Sequence, residues 1–426
     1  MFLESPIIDK QEKINLCMSE QMSSRLVTYA TFLVTLAIVG ISIISIIFPA
    51  LIISSTYEYP HDLEPLESSP WIGPIILSII TLLTLGFLYK INKLPSSIHS
   101  GITFIFNFEI SKKLSIIVGI IILGIYIGFS SHELFLNEPD QWGDYLILEE
   151  ALRIWPSTDH WDIYVKEQNT RYVRMILLEF SQESLQNIKV LPFVASILVV
   201  TFTALVTIQI SKKRFAGILA MIVLLQSTTF TDFDTIAVYE NFWVLFFLMS
   251  IYSIHKKWWY SSPIFFILSI FTKAFVVTYI WMNVFFIFRS DIPKKIKFLL
   301  FGSYTAVFII SYTIFETGRS IIYDDIVRID VNAFYDAFSG WGNAMQLDPL
   351  MILCIVPLTI GLFLKSINGL KQADSILIMI AGTILAGPLI SLVTDIYYIL
   401  PYRFIPFIVF MAIGVGVLFS KKINLD

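Results

Sequence analysis

The sequence predicts an all-α polytopic membrane protein, and three observations carry that prediction. Of its 426 residues, 56% are hydrophobic and 15% charged, where a soluble domain carries roughly 25% charged residues. The mean hydropathy is +0.76. The apolar residues also come in long runs rather than at a 3.6- or 2-residue period, so they are not the inward stripe of water-facing helices or strands.

A helix needs roughly 17–25 apolar residues to cross the hydrocarbon. Within lipid every backbone amide must be bonded inside its own segment, which makes helices the default. About twelve spans can be drawn on this basis, near 28–53, 71–89, 114–130, 190–210, 215–229, 241–254, 261–271, 274–288, 298–315, 350–364, 374–392 and 404–419. The pair between Ser261 and Phe288 also reads as one long tilted helix. The polar, mixed-charge N-terminal stretch and the first span lack a small-residue cleavage pattern, so no cleavable signal is expected. Cys17 lies in that tail and Cys354 inside a span, so no disulfide framework is expected.

Orientation follows from the basic residues. Lys112 and Lys113, Lys212 to Arg214, Lys256 and Lys257, Lys294 and Lys295, and Lys421 and Lys422 all fall on one side when the span count is even. That side is expected to be cytoplasmic, with both termini on it, in a plasma-membrane protein. Most acids fall on the other side, so the net charge of −4 hides a polar layout. Three segments are expected: residues 1–113, a cytoplasmic tail and helix hairpin; 114–315, a core with a large external loop at 131–189; and 316–426, a variable C-terminal membrane module. No internal repeat is visible, which speaks against an inverted-repeat transporter. The histidines show no metal-ligand spacing, and there is no Gly-rich phosphate loop, no serine nucleophile motif and no nucleic-acid surface.

The external loop opens on Asn137-Glu138-Pro139-Asp140-Gln141-Trp142-Gly143-Asp144-Tyr145, three carboxylates and two aromatics in nine residues. Asp144 precedes a predicted amphipathic helix, Tyr145 to Trp155, with Leu148, Leu152 and Trp155 on one face. It is either that helix's N-cap or a carboxylate able to take a proton from an incoming hydroxyl. Asp140 and Glu138 are the alternatives, expected nearer to bulk water. A second amphipathic helix, Tyr172 to Ile188, gathers Val173, Ile176, Leu177 and Phe180. Such helices either lie in the interface, apolar side in lipid, or pack on each other as a small cap.

Three further features carry chemistry. Asp232 and Asp234 form an Asp-x-Asp pair in a turn, able to hold one divalent cation, magnesium or manganese, through oxygen ligands; Glu240 could join them. Lys273 interrupts an otherwise uncharged stretch from Ser262 to Phe288. A lysine at mid-bilayer costs roughly 2.5–3.5 kcal/mol, so it marks the end of two short helices or faces a cavity. It is either a snorkelling turn residue or a phosphate ligand. Arg403 begins the last span on the same side; it is either a helix-end charge or a bidentate partner for a phosphate.

This order resembles the GT-C superfamily of integral-membrane glycosyltransferases, in its protein mannosyltransferase and aminoarabinose transferase branch, over about residues 114–315. Gly143-Asp144-Tyr145 with Glu149-Glu150-Ala151 resembles the family's first-loop acidic motif, Phe271-Thr272-Lys273 its lysine-bearing hairpin, and Arg403-Phe404-Ile405-Pro406 its Arg-Tyr-x-x-Pro start of a late helix. Asp232 and Asp234 sit where the metal-dependent branch has its second acidic motif. The departures are Tyr145 where the branch has Glu, two extra spans before the acidic loop, and no Trp-Trp-Asp-Tyr-Gly sequence. The resemblance implies transfer of a sugar from a polyprenyl-phosphate carrier to a protein, lipid or glycan acceptor outside the cell. Asp144 or Asp140 would be catalytic, Lys273 and Arg403 would hold the lipid phosphate, and no cofactor would be required. The competing expectation is a transporter or lipid-carrier flippase.

Overall fold

The computed structural model describes residues 6–52, 66, 68–138, 142–157, 159–318, 329–346, 348–393 and 401–421. All regular structure among them is helical. Eight helices are long and apolar enough to cross a bilayer, from Ser24–Ile47 to Pro401–Leu418. Four more apolar helices, Arg214–Leu225, Phe242–His255, Ser261–Thr272 and Ala274–Arg289, are shorter. Of the twelve spans expected, several of them short, eight are long enough to cross a bilayer among the described residues. At 1.5 Å per residue the 12-residue Ser261–Thr272 helix is about 18 Å long, well short of a hydrocarbon core of ~30 Å. The 261–288 stretch is two pieces rather than one tilted rod, because the helix stops at Thr272 and Lys273 is extended (φ −150°, ψ 107°) before a 3₁₀ turn at Ala274–Tyr279.

Exposure sorts the helices. Ile72–Lys90 and Lys112–Ser130 are apolar on every side yet almost wholly exposed. A surface of that kind is tolerable only against lipid. Ile405–Leu418, just as apolar, is buried along nearly its whole length, packed against Val190–Ser211, Arg214–Leu225, Pro349–Ile367 and Gln372–Val393. The close approach depends on small residues, as is usual between helices in lipid. A Cβ built on Gly416 would stand 2.6 Å from the Ala216 carbonyl oxygen. The three segments expected from the sequence therefore share one core rather than standing apart.

One end of the bundle collects the basic runs. Lys213 Nζ donates to the Phe106 carbonyl, Lys421 N to the Ser211 carbonyl at 3.2 Å, and Arg214 lies 3.9 Å from Glu109. Between two spans at this end lies a helix the sequence reading did not foresee, Ser96–Asn107. Here too an ion pair enters the bundle: Arg289 pairs with Asp374, both buried. Thr28 Oγ1 donates to Asp374 Oδ2 at 2.9 Å, and Arg289 Nη1 donates to Ser24 Oγ at 3.2 Å. The pair ties the first helix to two later ones. Breaking a buried pair leaves the other charge uncompensated, at roughly 3–5 kcal/mol, whereas replacing both by apolar side chains is often neutral. Arg289→Met should therefore lower the thermal stability of the detergent-purified protein sharply, and adding Asp374→Leu should restore most of it. A double variant no more stable than the single one would show that the pair does not act as a unit.

Candidate functional site

The opposite end carries the 131–189 segment and the predicted site residues. Two backbone breaks bring Lys273 and Arg403 together. Lys273 occupies the extended break after Ser261–Thr272. Arg403 lies in the 3₁₀ turn Pro401–Phe404 that leads into the buried last helix. Between them stands Tyr402. Its hydroxyl accepts from Lys273 Nζ at 2.9 Å and from Arg403 Nε at 3.1 Å. Lys273 and Arg403, far apart in sequence, thus share one oxygen. Lys273 is buried and its ammonium also lies 4.5 Å from the Tyr402 ring centroid, a favourable place for a desolvated cation.

Asp144 joins this group through a second tyrosine. It stands at the N-cap position of Tyr145–Ile154, but its backbone is helical and its side chain caps nothing. Its Oδ2 instead accepts from the Tyr239 hydroxyl at 2.7 Å. The Tyr239 ring stacks on Tyr402 at 4.4 Å and 15°, and Trp142 meets Tyr239 edge-on at 5.1 Å. Burial first, and then the bond to Asp144, push the Tyr239 hydroxyl well above the ordinary tyrosine range, so it acts as a donor throughout physiological pH. Asp144 itself is exposed. The chain of contact runs Asp144, Tyr239, Tyr402, then Lys273 and Arg403.

Glu138 overturns the expectation that placed it near bulk water. It is buried, and its carboxylate accepts from the amides of Ala237 at 3.1 Å and Val238 at 2.8 Å. Burial pushes its carboxyl up, against the opposing pull of those two amides. The carbonyls of the same dipeptide are taken by buried Arg174, whose Nη2 reaches Val238 O at 2.8 Å and Ala237 O at 3.3 Å. Arg174 Nε also pairs with Glu240 Oε2 at 2.8 Å, which removes Glu240 from the metal set the sequence suggested. Asp140 lies outside the described residues.

Around this core the loop helices divide. On Tyr145–Ile154, Leu148 and Ala151 are buried, so its apolar face packs inward. On Tyr172–Leu185 the buried face carries Arg174, Met175, Leu178 and Ser181, while Ile176 and Phe180 are 55% and 53% exposed. That apolar stripe points outward, as an interfacial helix requires. Just before it, Arg171 pairs with Glu167, and Gln168 Oε1 accepts from Arg171 Nη1 at 3.0 Å and from Arg174 Nη1.

Asp232 and Asp234 part company. Asp232 is exposed, and Asp234 is sealed with its carboxylate against Tyr126 and Ser130, without a well-formed hydrogen bond to either. Among the described residues no group of three or more His, Cys, Asp or Glu side chains is placed to hold a metal.

Sequence reading missed Tyr239, Tyr402, Glu167, Arg171 and Arg174. Tyr402 sat inside a motif already singled out. Arg171 and Arg174, three apart in the acidic 131–189 segment, were a readable excess of cations.

Burial raises the Asp234 carboxyl to about 7, with Glu133 and Asp232 adding to the rise. Between pH 3.8 and about 7 the folded protein therefore holds a proton that the unfolded chain has lost. Stability on this account falls as pH rises through that window and levels off above it. Asp234→Asn removes the titration. Its melting temperature in detergent should match wild type near pH 4 and exceed it at pH 8; equal values at both would refute the assignment. Comparison with family models, with curated proteins and with solved structures gives no match in any of the three, so the function of this site has to be read from its residues.

Proposed function

We propose that the chain is an integral-membrane glycosyltransferase of the GT-C kind. It moves a sugar from a polyprenyl-phosphate carrier to a protein, lipid or glycan acceptor on the extracytoplasmic face. The observation that carries this reading is the shared Tyr402 oxygen. Lys273 and Arg403 aim their donors at one point, and a carboxylate, Asp144, is tied to that point through Tyr239. An anion site and a base at one end of a lipid-embedded bundle are what transfer from a lipid phosphate needs.

The chemistry follows from those groups. A phosphate oxygen of the donor takes the place held by the Tyr402 hydroxyl between Lys273 and Arg403. The acceptor hydroxyl attacks the anomeric carbon from the face opposite the phosphate, and its proton passes to Asp144. The bond from the anomeric carbon to the phosphate oxygen breaks, and the phosphate leaves with the electron pair. Two cations already in place stabilise the charge that develops there, an effect that grows as water is excluded. Inversion at the anomeric carbon is the expected outcome. No step runs through a metal. The rival reading, transport of the lipid carrier, draws on the buried Arg289–Asp374 pair; it predicts movement of carrier without turnover.

Asp144→Asn keeps the size and removes the charge. General-base catalysis is worth roughly 10²–10⁴-fold, so the variant should lose at least 10²-fold in transfer from a labelled polyprenyl-phosphate sugar while its melting temperature stays near wild type. Transfer at the wild-type rate would move the role to Asp140, and survival in both variants would end the mechanism. The side of the membrane has its own check. Ser157 is exposed in the 131–189 segment. In a background with Cys17 and Cys354 replaced, Ser157→Cys should react with an impermeant maleimide in intact cells; labelling only after lysis would reverse the orientation.

A further inference from the structure

The cations at this end outnumber the phosphate ligands assigned so far. Arg171 and Arg174 lie at the start of the Tyr172–Leu185 helix, which packs on Ser261–Thr272 just before Lys273; the Tyr172 ring meets Phe271 at 6.2 Å, and the charges of both arginines act on Lys273. Arg174 is fully engaged by Glu240, two backbone carbonyls and Gln168. Arg171 is held differently. Both of its side-chain partners, Glu167 and Gln168, lie one turn back on its own chain. Gln168 also holds the buried Arg174, so the contact that an incoming anion has to break is the local ion pair with Glu167.

Glu167 occupies an unusual position for a carboxylate. The cations acting on it are Arg171, Lys273 and Arg403. It therefore stands as a negative charge against the two residues read as phosphate ligands. Burial works to raise its carboxyl, but Arg171 and then the other two cations outweigh that and hold it below the ordinary glutamate range. Its side chain nevertheless keeps 30% of its surface exposed, which leaves it a path into water.

A phosphate arriving between Lys273 and Arg403 brings a like charge against Glu167. Like charges repel, so the two anions compete for the same cations. We propose that Glu167 is the resident counter-ion of this site, displaced by the phosphate of an incoming polyprenyl-phosphate donor, and that Arg171, released from it, becomes a third ligand of that phosphate. This rests on the reading of Lys273 and Arg403 as phosphate ligands. In the free protein the counter-ion keeps four clustered cations from repelling one another. In the bound state the same residue has moved away, and an arginine able to bind bidentately has joined the site.

The consequence is opposite in sign to that of a structural salt bridge. Removing the Glu167 charge should strengthen binding. With the full chain in nanodiscs and a short-chain polyprenyl phosphate as probe, Glu167→Gln should bind about tenfold tighter, or ~1.4 kcal/mol. Arg171→Gln and Lys273→Ala should each bind more weakly, by a similar factor for Arg171→Gln. If Glu167→Gln does not fold, Glu167→Asp draws the carboxylate back by one methylene and should give a smaller gain in the same direction. Unchanged or weaker binding by the Glu167 variant, with Lys273→Ala still weakened, would overturn the counter-ion and leave the phosphate reading standing. Full-strength binding by both Lys273→Ala and Arg403→Ala would sink the phosphate reading itself. Inorganic phosphate is the second arm: a gain confined to it, and absent for the lipid, would overturn the assignment to a lipid donor.

Discussion

The Ala237–Val238 dipeptide is gripped by two opposite charges, and the geometry of the site depends on that grip. Glu138 takes both amides, and Arg174 takes both carbonyls. The two charged residues come from either side of the Tyr145–Ile154 helix, so one segment clamps another through backbone groups that any sequence would offer. Backbone groups buried without partners would be costly, and here charged partners satisfy them, which is the stronger kind of hydrogen bond. What the clamp fixes is the next two residues. Tyr239 is set on Tyr402 and bonded to Asp144, and Glu240 is returned to Arg174. Without the clamp, Asp144 would sit on an exposed helix end with nothing to relate it to Lys273.

The same economy governs the two ends of the bundle. Charges cannot be left alone in an apolar interior, and both ends answer with a buried arginine–carboxylate pair, Arg174–Glu240 at one and Arg289–Asp374 at the other. The pairs differ in what surrounds them. Around Arg289 and Asp374 lie the hydroxyls of Ser24 and Thr28, which join the pair to the first helix. Around Arg174 and Glu240 lie further cations, Arg171 and Lys273. The first is an assembly contact, while the second borders a surplus of positive charge.

Much of the architecture was legible because lipid imposes it. Helical content, the positions of the long spans and the gathering of lysine runs at one end all follow from hydropathy and charge. The short helices were drawn close to their observed bounds, but the extended residue and 3₁₀ turn that separate two of them at Lys273 were not legible, because the apolar stretch continues past the point where the backbone breaks. Lys273 was readable as an anomaly, being the lone charge in a long uncharged stretch. Asp144 was readable as a carboxylate at a helix start, but its partner was not, since Tyr239 lies 95 positions away in a loop with no pattern. Glu138 was misread for a related reason. Its neighbours are polar, and only a distant pair of amides explains its burial. Ser96–Asn107 escaped because too few of its residues are apolar for a span.

Tyrosine at the centre of the cation group has a physical rationale. A carboxylate hydrogen-bonded directly to both Lys273 and Arg403 would hold them more tightly than the neutral Tyr402 hydroxyl does. Water would screen them. The Tyr402 hydroxyl instead accepts from both while its ring faces the ammonium, so the two donors are oriented at one point without being neutralised. Orientation in advance is what makes such donors effective, since no reorganisation is then required when charge develops. The stacked Tyr239 extends the arrangement toward Asp144 and leaves that carboxylate exposed at the other end. The tyrosine pair thus stands between the exposed Asp144 and the buried Lys273. On the proposed reading, phosphate ligands and base would then act on opposite faces of a group held between them, as an inverting displacement requires.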